Sequence, residues 1–292
     1  WNHQVLVTPY LIPGEIAYVH VDYRQGSRWI TSIVNILRPS PKRLIAPCEL
    51  FGHCGCCSIQ HISADLQWNL KIKHLNDLLE RQAKLSPNIS NELKDLTSVF
   101  NYRNRAIFPI NTEGDVVKMG YYKRNSHDII DTDVCPILDD RLNKHIPMIK
   151  NSLNKIYRDS NYEHNLITQI RHICLRLGLS TNEVLITLVY RNKLDKRLRD
   201  IAKYWYHSSS DIVGITANSQ PFETNKIFGN KSISIIGKDH IEDYYGKLRF
   251  RISTTTFFQI NRDKAEKIID IITNWFLKDN LISRIIDCYC GV

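Results

Sequence analysis

Four of the chain's eight cysteines, Cys48, Cys54, Cys56 and Cys57, crowd into ten residues. Three of them are spaced C-x5-C-x2-C, with Gly52 and Gly55 in between. Glycine lets a backbone curl tightly enough to aim several sulfurs at one centre. A fourth thiolate has to come from elsewhere. Cys135, in Asp133-Val134-Cys135-Pro136, is the best candidate, because Pro136 rigidifies the loop that presents it. Four thiolates suit a cubane iron–sulfur cluster or a zinc ion. Structural zinc usually sits between two paired knuckles, and here the fourth cysteine stands alone, which favours a [4Fe-4S] cluster with zinc as the alternative. Cys56, between two candidate ligands, reads as a non-ligand, and Cys174, inside a strand, as a small core residue.

A disulfide scaffold is the competing use of cysteine. It belongs to short secreted chains with evenly spread cysteines. This chain has 292 residues, and Trp1 to Pro13 lacks the charged-then-apolar layout of an export signal. The reading is therefore a thiolate site in the cytoplasm. No run of about 18 apolar residues is present, so no membrane partner is expected. The chain lacks an initiator Met and ends on Cys290-Gly291-Val292, and both ends read as cuts in a longer protein.

The formal net charge is +9. Between Arg141 and Lys203 thirteen Lys and Arg stand against five Asp and Glu, so this stretch carries a local excess of eight. Such a field attracts a polyanion. Arg103, Arg105, Lys123 and Arg124 interleave with Tyr102, Tyr121 and Tyr122. Cations mixed with rings suit single-stranded RNA, whose bases stack and whose phosphates need neutralising; a solvated strand face is the alternative.

Periodicity gives the elements. Gln4 to Thr8, Ile16 to Val21 and Trp29 to Leu37 read as strands of a small antiparallel barrel, with a turn at Leu11–Glu15. Ser63 to Lys84 reads as a helix capped by Ser63, with Leu66, Leu70, Leu75, Leu78 and Leu79 on one face. Ala106–Ile110 and Val116–Tyr122 flank an Asn-Thr-Glu-Gly turn, and Ile167–Leu177 and Val184–Tyr190 flank a second hairpin loop. Leu194 to Tyr206 is a helix; Ile212–Asn218, Ser232–Ile236 and Lys247–Ile252 are strands. These predict an antiparallel sheet with one or two helices. Asp263 to Leu277 is an amphipathic helix, followed by a short buried strand, Arg284–Asp287, and a Gly turn, as a nucleotide-type α/β domain begins.

Several stretches together resemble the bacterial RNA (uracil-5-)-methyltransferases, above all their iron–sulfur 23S rRNA members. Pro47 to His61 resembles the family's cluster-binding segment. Tyr102-Arg103-Asn104-Arg105 resembles its Tyr-Arg-Asn-Lys element, and Gly120 through Cys135-Pro136 the stretch that carries its fourth cluster cysteine. Phe257-Phe258-Gln259-Ile260-Asn261 resembles Phe-Phe-Gln-Val-Asn, and Asp287-Cys288-Tyr289-Cys290-Gly291 its first cofactor motif. Leu11 to Ile16 resembles the Leu-Pro-Gly-Glu turn of the RNA-binding TRAM barrel. Departures are Cys56 in place of a Gly and Arg105 in place of a Lys.

The resemblance spans nearly the whole chain in order. It implies a mixed α/β, multidomain fold: a partial OB-like TRAM β-barrel over 1–44, an antiparallel α+β central domain with the Fe-S loop over 45–252, and the start of a truncated Rossmann-like domain over 253–292. It implies S-adenosyl-L-methionine as methyl donor, held by Gln259, Asp287, Tyr289 and Gly291. The substrate it implies is RNA, ribosomal RNA preferred, acted on by a protein that is monomeric when complete. The family's Cys nucleophile and Glu base lie beyond Val292, so no catalytic residue is assigned in this chain, which by itself is expected to be inactive. The alternatives are a tRNA uracil-5-methyltransferase and a non-catalytic RNA-binding module with a structural metal.

Overall fold

A computed structural model describes residues 4–87, 89, 94, 99–159, 165–278 and 284–288. The chain divides into two compact units, Trp1–Leu96 and Thr97–Val292. The cysteine loop and the helix after it group with the N-terminal strands.

In the first unit, β1 (Val5–Val7), β2 (Ile16–Gln25) and β3 (Arg28–Arg38) form a sheet in the order β1-β3-β2. β2 and β3 are antiparallel, and β1 runs parallel to β3. The turn before β2 is organised by Glu15, whose carboxylate is completely buried. Its oxygens accept from Ile12 N at 2.8 Å and Ser40 N at 2.9 Å, and Arg43 closes on them through Nε and Nη2, each at 2.6 Å. Arg43 also donates to the Tyr10 carbonyl and bridges to Ile62, so this one pair ties the strands to the segment beyond the cysteines. α1 (Ala64–Leu78) begins where predicted, with the Ser63 hydroxyl accepting from Leu66 N. A single π-helical turn, Leu79–Ala83, follows, and Lys84 ends it in the left-handed region. None of the α1 side chains is fully buried, and Leu75 and Leu78 of its expected apolar face are exposed.

In the second unit, Thr97–Val292, the chain runs β4 (Arg105–Glu113), β5 (Val116–Tyr122), β6 (Ile129–Asp131), α2 (Asp140–Asn143), α3 (Ile146–Arg158), α4 (Asn165–Thr168), β7 (Ile170–Leu177), β8 (Val184–Tyr190), α5 (Lys196–Ser208), β9 (Ile212–Ser219), β10 (Lys231–Gly237), β11 (His240–Tyr245), β12 (Leu248–Ser253) and α6 (Arg262–Lys278). Seven strands form one sheet, β10-β9-β8-β7-β4-β5-β6, and β11 and β12 form a separate hairpin. The fold is mixed α/β, as expected.

Details differ from the sequence reading. The sheet is not purely antiparallel: β8 and β9 pair in parallel. The helix between them, α5, is a crossover, and a parallel neighbour cannot be reached by a tight turn. The β4–β5 turn is only Gly114-Asp115, because Asn111 to Glu113 stay paired with β5; Gly114 takes φ +56 there. Asn165–Thr168 is a helical turn, so β7 starts later than predicted. α3 was not predicted, although Ile146, Ile149 and Leu153 sit at i, i+3 and i+7 and are fully buried. Arg284–Asp287 is neither a strand nor buried: it is irregular and exposed. A strand exists only by pairing, and apolar composition alone does not make one.

The sheet is covered on both faces, since every residue of β7 and β8 is buried. α3 packs against β5, and α5 against β9 and β10. α5 turns Leu198, Ile201, Ala202 and Trp205 inward, while Lys196 and Lys203 stay exposed. Cross-strand register puts Arg105, Arg176, Cys174, Thr187 and Thr216 on one face. The segment after β12 lies over that face: the Thr254 hydroxyl bonds those of Thr187 and Thr216, all buried. Leu185, Ile241, Ile252 and Phe258 form a small core beside it.

Candidate cofactor and RNA-facing site

The Tyr102–Arg105 run is a seam. Arg103 forms isolated bridges with Leu138 on one side and Asn261 on the other. Its N–H donates to Ile137 O at 2.9 Å, and its carbonyl accepts from Asp139 N at 3.1 Å. Asn104 N donates to Ile260 O at 3.2 Å, and the Asn104 side chain donates Nδ2 to Gln259 O at 3.1 Å. Asn104 is buried. The same run then enters β4 opposite β7, where Arg105 faces Arg176. Three segments that the sequence reading kept apart are thereby joined: the Cys135 loop, the Tyr102–Arg105 run and the Phe257–Asn261 segment.

The Cys135 loop is held from within. Asn143, at the end of α2, accepts from Cys135 N at 3.0 Å and donates Nδ2 to the carbonyls of Cys135 at 3.1 Å and Leu138 at 3.0 Å. Lys150 on α3 reaches Asp131 and Asp133, both at 2.5 Å, just upstream. Burial opposes the Lys150 charge, but the two carboxylates outweigh it and hold its pKa above the ordinary lysine value. The Cys135 thiol is buried.

The other three candidate ligands belong to the first unit. Cys54 is buried, Cys48 and Cys57 are half-buried and Cys56 is exposed. The loop curls at Gly52, while Gly55 takes no left-handed φ: Phe51 N donates to Cys48 O at 3.0 Å, Cys54 N to Leu50 O at 2.9 Å, and Gly52 takes φ +92. Phe51 packs on Tyr10 and His61, with ring centroids 5.2 Å away in each case. His61 is buried, and loss of hydration, with the nearby Arg43 charge, holds its pKa below the ordinary value, which keeps it neutral. None of the seven described cysteines is in a disulfide. Among the described residues no group of three or more His, Cys, Asp and Glu is gathered in a way that could hold a metal ion.

Of the expected cofactor residues, Gln259 has an exposed side chain on a tied backbone, between buried Phe258 and the start of α6. Arg262 fastens that helix: it donates Nη1 to Asp243 at 3.1 Å, and Asp243, fully buried, also accepts from Leu179 N and Ser180 N. Asp287 is exposed in irregular chain. Tyr289 and Gly291 lie outside the described residues. Among the expected RNA contacts, Lys123 and Arg124 sit in the exposed β5–β6 turn, beside exposed Tyr122. Because β4 and β5 are antiparallel, that turn and Arg105 are at the same end of the sheet. Arg103 and Arg105 are half-buried. A cavity of about 290 Å³, lined by Asn111, Gln169 and Arg191 among others, is at the opposite end and touches none of these residues.

No family model matches the chain. An uncharacterized RNA methyltransferase of Prochlorococcus marinus is 37% identical over 289 residues, covering 97% of this chain and 68% of the relative. The chain belongs to this RNA methyltransferase family. A second uncharacterized RNA methyltransferase, from Parasynechococcus marenigrum, is 36% identical over 293 residues, covering 100% of the chain. The chain spans 63% of that relative's length. Among solved structures, the Pyrococcus abyssi tRNA (uracil-54, C5)-methyltransferase in complex with S-adenosyl-L-homocysteine matches with a TM-score of 0.65 at 19% identity, covering 92% of this chain and 60% of that one. At that identity the match shows the fold.

The sequence pattern left three residues of the site unmarked. Arg176 is the one charged residue inside the otherwise apolar run Ile173-Cys174-Leu175-Arg176-Leu177, a pattern that points to a buried charge. Asn104 belongs to a recognisable motif, but the motif alone gives it no role. Asn143 left no signal, since a polar residue in a short helix is ordinarily a surface one. Among the described residues no helix is long and apolar enough to cross a membrane.

Proposed function

We propose that the complete protein uses S-adenosyl-L-methionine to methylate carbon 5 of a uridine in RNA, with 23S rRNA the preferred substrate. The observation that carries this reading is the Asn104–Gln259 seam, which joins two segments resembling family motifs, in a chain 37% identical to an RNA methyltransferase. Carbon 5 of uracil is a poor nucleophile. In the family it is activated by a cysteine thiolate adding to carbon 6, and a base later removes the carbon 5 proton. The sulfonium donor supplies an electrophilic methyl group when bound. This chain's share is positioning. Gln259 hydrogen-bonds the donor, with Asp287, Tyr289 and Gly291 completing its seat, while Arg103, Arg105, Lys123 and Arg124 take the RNA strand. An extruded base gives access to carbon 5.

The reading includes an OB-like TRAM barrel in the N-terminal unit, supported by the three-stranded sheet and the Glu15-pinned turn. It also includes a [4Fe-4S] cluster held by Cys48, Cys54, Cys57 and Cys135. The support is the donor set: soft thiols, none in a disulfide, three of them on a loop already curled at Gly52. The protein would act in the cytoplasm as a monomer.

The test is to incubate the complete protein with ribosomal and transfer RNA and methyl-labelled donor, and to identify the labelled nucleoside by mass spectrometry. The expected product is 5-methyluridine in 23S rRNA. Label in another nucleoside overturns the carbon 5 assignment, and label confined to tRNA overturns the preferred substrate. Anaerobically purified protein is expected to contain iron and absorb near ~400 nm. A colourless protein with stoichiometric zinc overturns the cluster.

A further inference from the structure

Arg105 and Arg176 stand directly opposite each other on β4 and β7. Residues so paired project from the same face, and like charges in that position repel. Arg176 is 3% exposed. A buried guanidinium in a protein normally meets a carboxylate. Among the described residues neither arginine forms an ion pair. Arg176 donates Nη2 to Thr256 O at 2.7 Å, and Arg105 donates Nη2 to Thr254 O at 3.0 Å. The Nε of each is buried without an acceptor, and so is the Nε of Arg103, two residues upstream in the same extended run. A guanidinium carries five N–H donors, and among the described residues the buried Nε of each of these three arginines is a donor with no acceptor. Leaving a buried charged donor unsatisfied is costly. Burial, then the neighbouring Arg105 charge, holds the Arg176 pKa at about 10, well below the ordinary arginine value. The Arg105 guanidinium lies 5.3 Å from the Phe228 ring centroid and is only half-buried, which leaves it reachable from outside.

We infer that Arg105, Arg176 and Arg103 form a binding site for one backbone phosphodiester of the RNA strand, next to the Thr254–Gln259 segment. Arg105 meets the phosphate, and Arg176 beside it supplies a second positive charge and holds Thr256 in place. This deepens the reading of the protein as an RNA-modifying enzyme and rests on it. One phosphodiester brings the counter-charge that the fold withholds. It also orders the strand at the tied Gln259 segment.

The experiment uses the complete protein and a fluorescent single-stranded RNA of mixed sequence, with affinity measured across a series of salt concentrations. Arg105→Gln is expected to weaken binding about tenfold and to make the dependence of log K on log salt shallower by about 0.7, the value for one phosphate contact on a single strand. Arg176→Lys, which keeps a charge at the buried position should Arg176→Gln fail to fold, is expected to weaken binding with a near-native slope. Lys203→Gln, on the outer face of α5, is expected to change neither. Binding of S-adenosyl-L-homocysteine is expected to be unchanged in Arg105→Gln. If Arg105→Gln keeps both affinity and slope, or if it weakens only the homocysteine ligand, the phosphate site is overturned while the RNA reading stands. If the wild-type protein binds no RNA, both fall.

Discussion

The side-chain amide of Asn104 donates to the main-chain carbonyl of Gln259 at 3.1 Å, across 155 residues of sequence. The Asn104 N–H makes a parallel tie to Ile260 O. The Gln259 backbone is therefore fixed by a buried group just before β4, while its side chain remains outside. A side chain that is to meet a cofactor gains from such a support, because its backbone no longer has to be ordered on binding. Asn104→Ala removes the side-chain tie and leaves the backbone one. The expected result, in the complete protein, is a loss of about tenfold in affinity for S-adenosyl-L-homocysteine, equal to one hydrogen bond of about 1–1.5 kcal/mol. Isothermal titration reads it. Unchanged affinity would show that the seam is structural only.

The Glu15–Arg43 pair predicts the acid behaviour of the N-terminal unit. Hydrogen bonds from Arg43, opposed by burial, hold the Glu15 carboxyl at about 2 against an ordinary 4.5. A depressed folded-state pKa stabilises above the unfolded-chain value and is lost as protons are forced on. Stabilisation of about 3 kcal/mol is thus present above pH of about 4.5 and disappears as the pH falls toward about 2. Glu15→Gln is expected to cost about 3 kcal/mol at neutral pH, because Arg43 loses its partner. It should also flatten the acid limb. Denaturant melts at a series of pH values, followed by circular dichroism, separate the two effects. A variant that retains the wild-type slope below pH of about 4.5 would assign the acid sensitivity to another group.

How far the sequence could be read depended on whether a residue's role was local. Ser63 capping α1, the helix α5 and the helix over Asp263 to Leu277 were all legible, because a cap and a 3.6-residue period are properties of neighbouring residues. The parallel pairing of β8 with β9 was not read, although a strand, a helix and a strand in succession were all recognised. Arg284–Asp287 was misread for the opposite reason. Its composition suits a strand, and the structure leaves it irregular and exposed. In the site, the cysteines and Gln259 were legible as motif members. The Arg105–Arg176 pair was not, because it exists only in the register between β4 and β7, whose paired residues are 71 apart here.

Trp205 tests the core of the second unit. It is fully buried on α5, and its indole N–H donates to Ser152 Oγ on α3 at 2.7 Å. Trp205→Ala removes the largest side chain in this core and leaves the Ser152 hydroxyl without its donor. The expected loss is about 3–5 kcal/mol. Trp205→Phe fills most of the volume and loses only the hydrogen bond and some packing, so about 1–2 kcal/mol is expected. Urea melts of the two variants should fall in that order. Equal losses would place the whole effect in the hydrogen bond.

Two glycines separate two kinds of constraint. Gly114 takes φ +56 in the β4–β5 turn, and a Cβ added there meets nothing within 4 Å. Gly114→Ala therefore strains only the backbone, at about 1 kcal/mol. Gly214 in β9 has no such φ, but a Cβ there would lie 1.8 Å from the Lys238 carbonyl oxygen. That oxygen belongs to the chain just after β10, and Lys238 N is itself bonded to Val213 O at 2.9 Å, so the clash cannot be relieved by a rotamer change. β9 and β10 would have to separate at the Gly214–Gly237 pair. Gly214→Ala is expected to cost about 3 kcal/mol or more. It should also raise hydrogen exchange at the β9–β10 ladder, where Gly114→Ala leaves exchange unchanged. If the Gly214 variant were as stable as the Gly114 one, the close approach of Lys238 would not be a fixed feature of the sheet edge.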